Sequence, residues 1–151
     1  MSTLILGYGN PLRGDDGIGW VAAEQLAKKF SDPGICVLAR QQLTPELAAD
    51  AAQVERLVLI DATQDGIAGK VGVEKIAPSE STESAFTHQL KPGELLACAH
   101  ELYGRAPETW LVSVAGASFE CSDKLSAPVA AALPAVLSRV EEIALRIECT
   151  S

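Results

Sequence analysis

The sequence is short of positive charge, of long apolar runs and of a basic N-terminal region. It has 151 residues, with 12 Lys and Arg against 20 Asp and Glu, so its net charge is −8. This acidity argues against nucleic acid or an anionic membrane as a partner. No apolar run approaches the ~18 residues of a membrane span, and we expect neither a span nor a signal peptide. With 48% hydrophobic residues, the chain should fold as one soluble domain over residues 1–151.

The spacing of the cysteines excludes two further classes of protein. Cys36, Cys98, Cys121 and Cys149 are scattered, and none forms a C-x-x-C pair. This argues against a zinc knuckle and against a thioredoxin-like redox motif. We therefore expect the cysteines to be small buried hydrophobic residues in a reducing cytoplasm.

The most informative segment runs from Gly7 to Gly19, where a short apolar strand leads into a helix. Leu12 stands where a dinucleotide-binding loop needs its third glycine, and no G-K-[ST] follows, so neither nucleotide motif is present. The adjacent carboxylates of Asp15 and Asp16 favour a cation over a phosphate. One aspartate could simply cap the helix, since Asp is a preferred N-cap residue, but the second would then be unexplained.

The rest of the sequence alternates strand and helix patterns. Strands are predicted over Thr3–Leu6, Ile35–Gln41, Leu57–Ile60, Lys70–Ile76 and Trp110–Val114. Helices are predicted over Gly17–Phe30, over a short segment with Thr44 as its N-cap, over Pro92–Tyr103 and along Val129–Ile147. In the third of these, the residues expected to face inward are Leu95, Leu96, Ala99 and Leu102. Pro134 should kink or delay the last helix. This order of elements suggests a mostly parallel sheet with helices on both faces.

Asp61 and His88 are further candidates for a functional site. Asp61 ends an apolar strand, where a buried carboxylate needs a partner or a cation unless the backbone of Ala62–Gln64 satisfies it in a turn. His88 lies in a loop just before a helix, whereas His100 is predicted to be a surface residue within that helix. Carboxylates with one imidazole suit a divalent ion such as nickel or zinc, with positions left open for other ligands.

Three of these features together resemble the hydrogenase maturation proteases: the pattern G-x-G-N-x-L-x-x-D-D-G-x-G, Asp61 at its strand end, and His88-Gln89-Leu90 after a loop. The resemblance implies a three-layer α/β/α sandwich around a twisted, mostly parallel or mixed sheet of about five strands. It also implies a cytoplasmic endopeptidase that removes the C-terminal extension of a nickel–iron hydrogenase large-subunit precursor. In that family, the residues matching Asp16, Asp61 and His88 bind a metal. We expect nickel, supplied by the substrate, and a monomeric enzyme.

The catalytic group is harder to assign. The sequence has no H-E-x-x-H helix, no G-x-S-x-G elbow and no obvious histidine partner for a cysteine. What remains is acid–base chemistry by Asp16 and Asp61, on a water that the substrate's nickel could hold. Whether that nickel is catalytic or only recognised stays open. Two alternatives stay open: a non-enzymatic nickel-binding chaperone of the precursor, which would use the same ligands, and a metal-dependent hydrolase of a small molecule on a similar α/β scaffold.

Overall fold

The computed structural model describes residues 2–80 and 90–146, and its centre is a five-stranded mixed sheet. The strands are β1 (Thr3–Tyr8), β2 (Ile35–Arg40), β3 (Arg56–Thr63), β4 (Val71–Ile76) and β5 (Glu108–Ala115). Their order across the sheet is β2-β1-β3-β5-β4. All neighbours run parallel except β4, which pairs antiparallel with β5 at the edge. His88, Cys149 and Ile147 lie outside the described residues.

Helices cover both faces of this sheet. They are α1 (Ile18–Lys29), α2 (Leu47–Ala52), α3 (Pro92–Tyr103) and α4 (Ala127–Ala144), and a single 3-10 turn, Gly14–Gly17, precedes α1. None of the helices in the described ranges combines the length and apolar content needed to cross a membrane. The fold class predicted from the sequence, a three-layer α/β/α sandwich around a sheet of this size, is confirmed.

Two apolar cores lie on the two faces of the sheet, and alternate residues of the central strands supply them. One face carries Leu4, Leu6, Leu57 and Leu59, which pack with α2 and α3. The other carries Ile5, Val58 and Ile60, which pack with α1 and α4. Because β1 and β3 are buried on both faces, their sequences are continuous apolar runs without alternation.

Three details of the predicted helices are wrong. The second helix begins at Leu47, and Thr44 contributes to the preceding turn through its backbone carbonyl, which accepts the Leu47 N–H at 3.0 Å. Pro134 lies inside the last helix, which begins at Ala127, so the predicted delay is wrong, whereas the alternative of a kink stays a prediction. Pro134 and Ala130 are both exposed, so water can satisfy the Ala130 carbonyl that the proline ring leaves without a donor.

The third wrong detail concerns Leu102, which is 64% exposed and does not face inward. Leu95, Leu96 and Ala99 of the same helix are fully buried, as predicted. Leu102 lies in the last turn of α3, beside the exposed Tyr103. The last turn therefore extends beyond the apolar contacts that bury the rest of this helix.

Candidate active site

A cleft of about 330 Å³ opens at the carboxyl ends of β1 and β3. It is lined by Tyr8, Gly9, Asp16, Asp61, Ala62, Leu90, Lys91 and Pro92. The carboxyl ends of neighbouring parallel strands meet at one edge of a sheet, which is the usual place for a ligand in α/β folds. The structure thus brings together two of the three predicted site residues, Asp16 and Asp61. His88 lies outside the described residues, and Leu90, two positions after it in sequence, is part of the cleft wall.

Glycines allow the loop after β1 to fold back onto the sheet. Gly9 has a φ of 144°, and a Cβ placed on it would overlap the carbonyl oxygen of Asp16. Gly19, in the first turn of α1, leaves no room for a Cβ because the Ile60 carbonyl lies against it. These approaches place the Asp16 side chain close to β3. The Asn10 N–H then donates to Asp16 Oδ2 at 2.8 Å and fixes one oxygen of that carboxylate.

Asp61 is a partly buried carboxylate in this cleft. Burial raises its pKa to about 6, against the lowering effect of the Tyr8 hydroxyl and of the Ala62 N–H, which donates to Asp61 Oδ1 at 2.7 Å. The negative charge of Asp16 raises the pKa further. A carboxylate with a pKa near 6 is largely ionised at neutral pH and is still basic enough to accept a proton from water. The Ala62–Gln64 backbone therefore satisfies Asp61 only in part.

Asp15 has a different function from its neighbour. It is fully buried, and its carboxylate accepts hydrogen bonds from the N–H groups of Ala117 (2.7 Å), Ser118 (3.0 Å) and Ser126 (2.7 Å), and from the Ser126 hydroxyl (2.8 Å). Burial alone would raise the pKa of Asp15, but these donors hold it below its ordinary value. We call Asp15 with these three partners the Asp15 latch, because it ties the 3-10 turn to the loop after β5 and to the start of α4.

The possibility that one of the two aspartates caps the first helix is therefore wrong. Neither the 3-10 turn nor α1 has a side-chain cap hydrogen bond. Asp15 is directed towards the loop after β5, and Asp16 towards the cleft and the Asn10 backbone. Both acids are thus explained without a cap, one by a structural contact and one by the cleft.

The described residues provide few metal ligands. Within residues 2–80 and 90–146, no group of three His, Cys, Asp or Glu side chains is placed to hold a metal ion. Asp16 and Asp61 could supply two oxygen ligands, which suits a divalent cation but leaves most of its coordination positions open. A metal held here would need ligands from His88 or from a bound substrate.

Two residues of the cleft were missed in the sequence, Tyr8 and Lys91. Tyr8 continues the row Leu4, Leu6 on one face of β1, so the two-residue period of side chains along a strand was the signal that could have placed it there. Lys91 precedes α3, and its N–H donates to Glu94 Oε1 at 2.8 Å. No sequence signal distinguished it from an ordinary surface lysine.

The three described cysteines, Cys36, Cys98 and Cys121, and His100 are not among the residues that line the cleft. His100 is exposed, as predicted. Cys98 is buried, as expected, but Cys36 and Cys121 are exposed, so the expectation of burial is wrong for these two. Cys36 belongs to the edge strand β2 and Cys121 to the loop after β5, where neighbouring elements leave them uncovered.

No protein-family model matches the chain, and no curated protein matches it. Solved structures do match. The hydrogenase maturating endopeptidase HybD of Escherichia coli is 25% identical, with a TM-score of 0.77 over 95% of this chain and 91% of that one. The nickel–iron hydrogenase maturation protease HybD of Thermococcus kodakarensis is 27% identical, with a TM-score of 0.72 over 95% and 99% of the two chains.

A third structure, the hydrogenase 2 maturation peptidase of a Thaumarchaeota archaeon, is 25% identical, with a TM-score of 0.74 over 95% of this chain and 98% of that one. These similarities cover almost the whole length of each protein, so they concern the complete fold and not one motif. The resemblance to the hydrogenase maturation proteases, predicted from three short sequence features, is thereby confirmed.

Proposed function

We propose that this protein is an endopeptidase that removes the C-terminal extension from a nickel-loaded large-subunit precursor of a nickel–iron hydrogenase. The observation that carries the proposal is the pairing of Asp16 and Asp61 in one cleft, with the pKa of Asp61 raised to about 6. The cleft lies in a fold that this chain shares with two hydrogenase maturation proteases, to which it is 25% and 27% identical.

Asp61 is the general base in this proposal. Its carboxylate accepts a proton from a water molecule as that water attacks the scissile carbonyl carbon, and the carbonyl electron pair moves to the oxygen. When the carbon–nitrogen bond breaks, the protonated Asp61 returns the proton to the leaving amine. Asp16 keeps a second negative charge beside Asp61, which raises the basicity of the Asp61 carboxylate.

Nickel enters as part of the substrate. Asp16, Asp61 and His88 would be the ligands that this chain offers to it, and the metal would polarise the carbonyl and acidify a bound water. The other ligands would come from the precursor, because Asp16 and Asp61 leave open positions on a divalent ion. A precursor without nickel would then lack contacts that align its scissile bond, so nickel insertion would control cleavage.

A thiol mechanism is not supported by the described cysteines. Cys36, Cys98 and Cys121 are absent from the cleft lining. Burial raises the pKa of the Cys98 thiol, with Glu101 and Glu94 adding to the effect, and this disfavours the nucleophilic thiolate. The chemistry is therefore assigned to the carboxylates.

The direct experiment incubates the purified protein with the precursor in its apo and nickel-loaded forms and follows the intact mass of the precursor. We expect the nickel-loaded form to lose its C-terminal extension and the apo form to keep it. Asp61→Asn is the inactive control, and Asp65→Asn, an exposed aspartate after β3, is the matched active control.

Other outcomes would favour other functions. Stable binding of the nickel-loaded precursor without any change in its mass would favour a chaperone. Turnover of small amide or ester substrates with no action on the precursor would favour a small-molecule hydrolase. Equal cleavage of the apo and loaded forms would overturn the nickel requirement while leaving the peptidase activity in place.

The same resemblance supports a monomeric enzyme acting in the cytoplasm. Sedimentation of the purified protein at micromolar concentration should give a single species near 15.8 kDa. A concentration-dependent dimer would overturn the monomer. Recovery of the native protein from a periplasmic or membrane fraction would overturn the location.

A further inference from the structure

Tyr8 has an unusual environment for a tyrosine at the end of a strand. Only 5% of the residue is exposed, and its hydroxyl makes no hydrogen bond of normal geometry with the described residues, although it lies close enough to Asp61 to lower the pKa of that carboxyl. Buried polar groups in proteins are nearly always hydrogen-bonded, so an exception calls for an explanation. Tyr8 also lines the cleft, together with Asp16 and Asp61.

The sheet register places Tyr8 beside Asp61. The last recorded pair of β1 and β3 is Gly7 with Ile60, and Tyr8 and Asp61 stand one position further on. Both continue the rows that face α2 and α3, where the preceding pairs are leucines. The phenol and the carboxylate are therefore neighbours on one face, next to the buried leucines Leu6 and Leu59.

The Asp61 carboxylate has one oxygen held by backbone and one that is not. Oδ1 accepts the N–H of Ala62 at 2.7 Å, whereas no backbone N–H of the described residues donates to Oδ2. The neighbouring Asp16 is also held through one oxygen, because the Asn10 N–H donates to its Oδ2. A carboxylate held through a single oxygen can rotate, and a general base must keep one oxygen directed at the attacking water.

Tyr8 is placed to donate a hydrogen bond to Asp61. A tyrosine hydroxyl can donate one hydrogen bond, and the ionised carboxylate of Asp61 beside it can only accept one. The hydroxyl is thus available to Asp61 and is not itself a base. Lys91, which also lines the cleft, is exposed, whereas Tyr8 is buried and belongs to the apolar core that faces α2 and α3.

We propose that Tyr8 is a positioning residue whose hydroxyl donates a hydrogen bond to Asp61 when substrate fills the cleft, and so directs that carboxylate at the attacking water. The inference rests on the proposed peptidase function. It assigns Tyr8 a part in the turnover step and none in holding the substrate, because its hydroxyl is buried and does not reach solvent.

The test compares Tyr8→Phe with the wild-type protein in cleavage of the nickel-loaded precursor. We expect kcat to fall about 10- to 100-fold with KM unchanged, because only the orientation of the base is lost. The midpoint of thermal unfolding should stay the same or rise, since the variant removes a buried hydroxyl without a partner. Tyr103→Phe is the matched control, because Tyr103 is 54% exposed on α3 and should keep wild-type kcat.

A replacement that restores the donor separates positioning from packing. Para-aminophenylalanine at position 8 keeps the ring and an N–H donor, and it should recover most of the lost kcat. Wild-type kcat in Tyr8→Phe, or a loss that appears only in KM or in stability, would overturn the inference alone. A wild-type protein that leaves the precursor intact would overturn the proposed function and this inference with it.

Discussion

The Asp15 latch and the Asp16–Asp61 cleft lie side by side at one edge of the sheet, and they differ in the number of donors each carboxylate receives. Asp15 accepts four hydrogen bonds, three of them from backbone N–H groups. Asp61 accepts one backbone hydrogen bond and has the charge of Asp16 nearby. The pKa of Asp15 is therefore lowered and that of Asp61 is raised, although burial acts on both in the same direction.

These opposite shifts have opposite consequences for stability. A carboxylate with a lowered pKa stabilises the folded state above its ordinary pKa, and that contribution is lost as pH falls through the folded value. A carboxylate with a raised pKa favours folding below its ordinary pKa, and that contribution is lost as pH rises through the folded value. At neutral pH, Asp15 thus holds the structure together, whereas Asp61 is kept ionised at a cost in stability, as expected of a functional group.

The latch also belongs to the anchoring of α4. Asp15 binds Ser126, the residue that precedes this helix. At the other end, the buried Arg56 donates to the carbonyls of Ile143 (2.8 Å) and Arg146 (3.1 Å). A negative charge at the start and a positive charge at the end both complement the helix dipole. The two buried charges therefore fix α4 against the sheet.

The largest expected effect is the loss of precursor cleavage when the negative charge of Asp16 is removed. Asp16→Asn keeps the shape of the side chain and its acceptor for the Asn10 N–H, so we expect normal folding by circular dichroism. Cleavage of the nickel-loaded precursor should fall at least about 100-fold, the usual loss for an acid–base group. Asp65→Asn is the control in the same assay. Full activity in Asp16→Asn would remove this residue from the site.

Disrupting the Asp15 latch should lower the stability of the folded protein. Asp15→Asn replaces an acceptor oxygen by an NH₂ group that faces backbone donors, and we expect it to lower the free energy of unfolding by about 3 kcal/mol. Chemical denaturation at neutral pH measures this, with Asp123→Asn on the same loop as the exposed control. The difference from wild type should shrink in acid, because the wild-type carboxylate itself becomes protonated. A stability equal to that of Asp123→Asn would show that the latch contributes nothing.

The cleft should also set the pH dependence of the reaction. If Asp61 is the base, kcat/KM should rise about tenfold per pH unit on the acid side and level off above its pKa of about 6. This rise on the acid side of the pH profile should be absent from any residual activity of Asp61→Asn. An acid limb near the ordinary carboxylate value would mean that burial does not act on the catalytic base.

Much of this molecule could be predicted from local patterns. The apolar runs of β1 and β3 and the bounds of α3 follow from periodicity and from Pro92 at the helix start. The meeting of Asp16 and Asp61 follows from the rule that parallel strands share their carboxyl edge. These features depend on neighbours in sequence or on a general property of α/β sheets, so a single chain is enough to predict them.

What could not be predicted depends on distant contacts. The partners of Asp15 lie 102 to 111 positions away in sequence, and nothing near Asp15 indicates them. The exposure of Cys36 depends on β2 being an edge strand, which the order of elements along the chain does not determine. The proximity of Tyr8 to Asp61 depends in the same way on β1 and β3 being neighbours in the sheet.

The role of Asp61 is tested most directly by measuring the unfolding free energy of Asp61→Asn and of the wild type across pH, together with precursor cleavage. Because the Asp61 pKa rises from 3.8 to about 6 on folding, the variant should be more stable than wild type by about 2–3 kcal/mol near pH 8. That advantage should vanish below about pH 4, where the wild-type carboxyl is neutral in both states, and the variant should not cleave the precursor. A variant that is less stable than wild type at pH 8, or one that still cleaves, would contradict the assignment of Asp61 as a base held at the expense of stability.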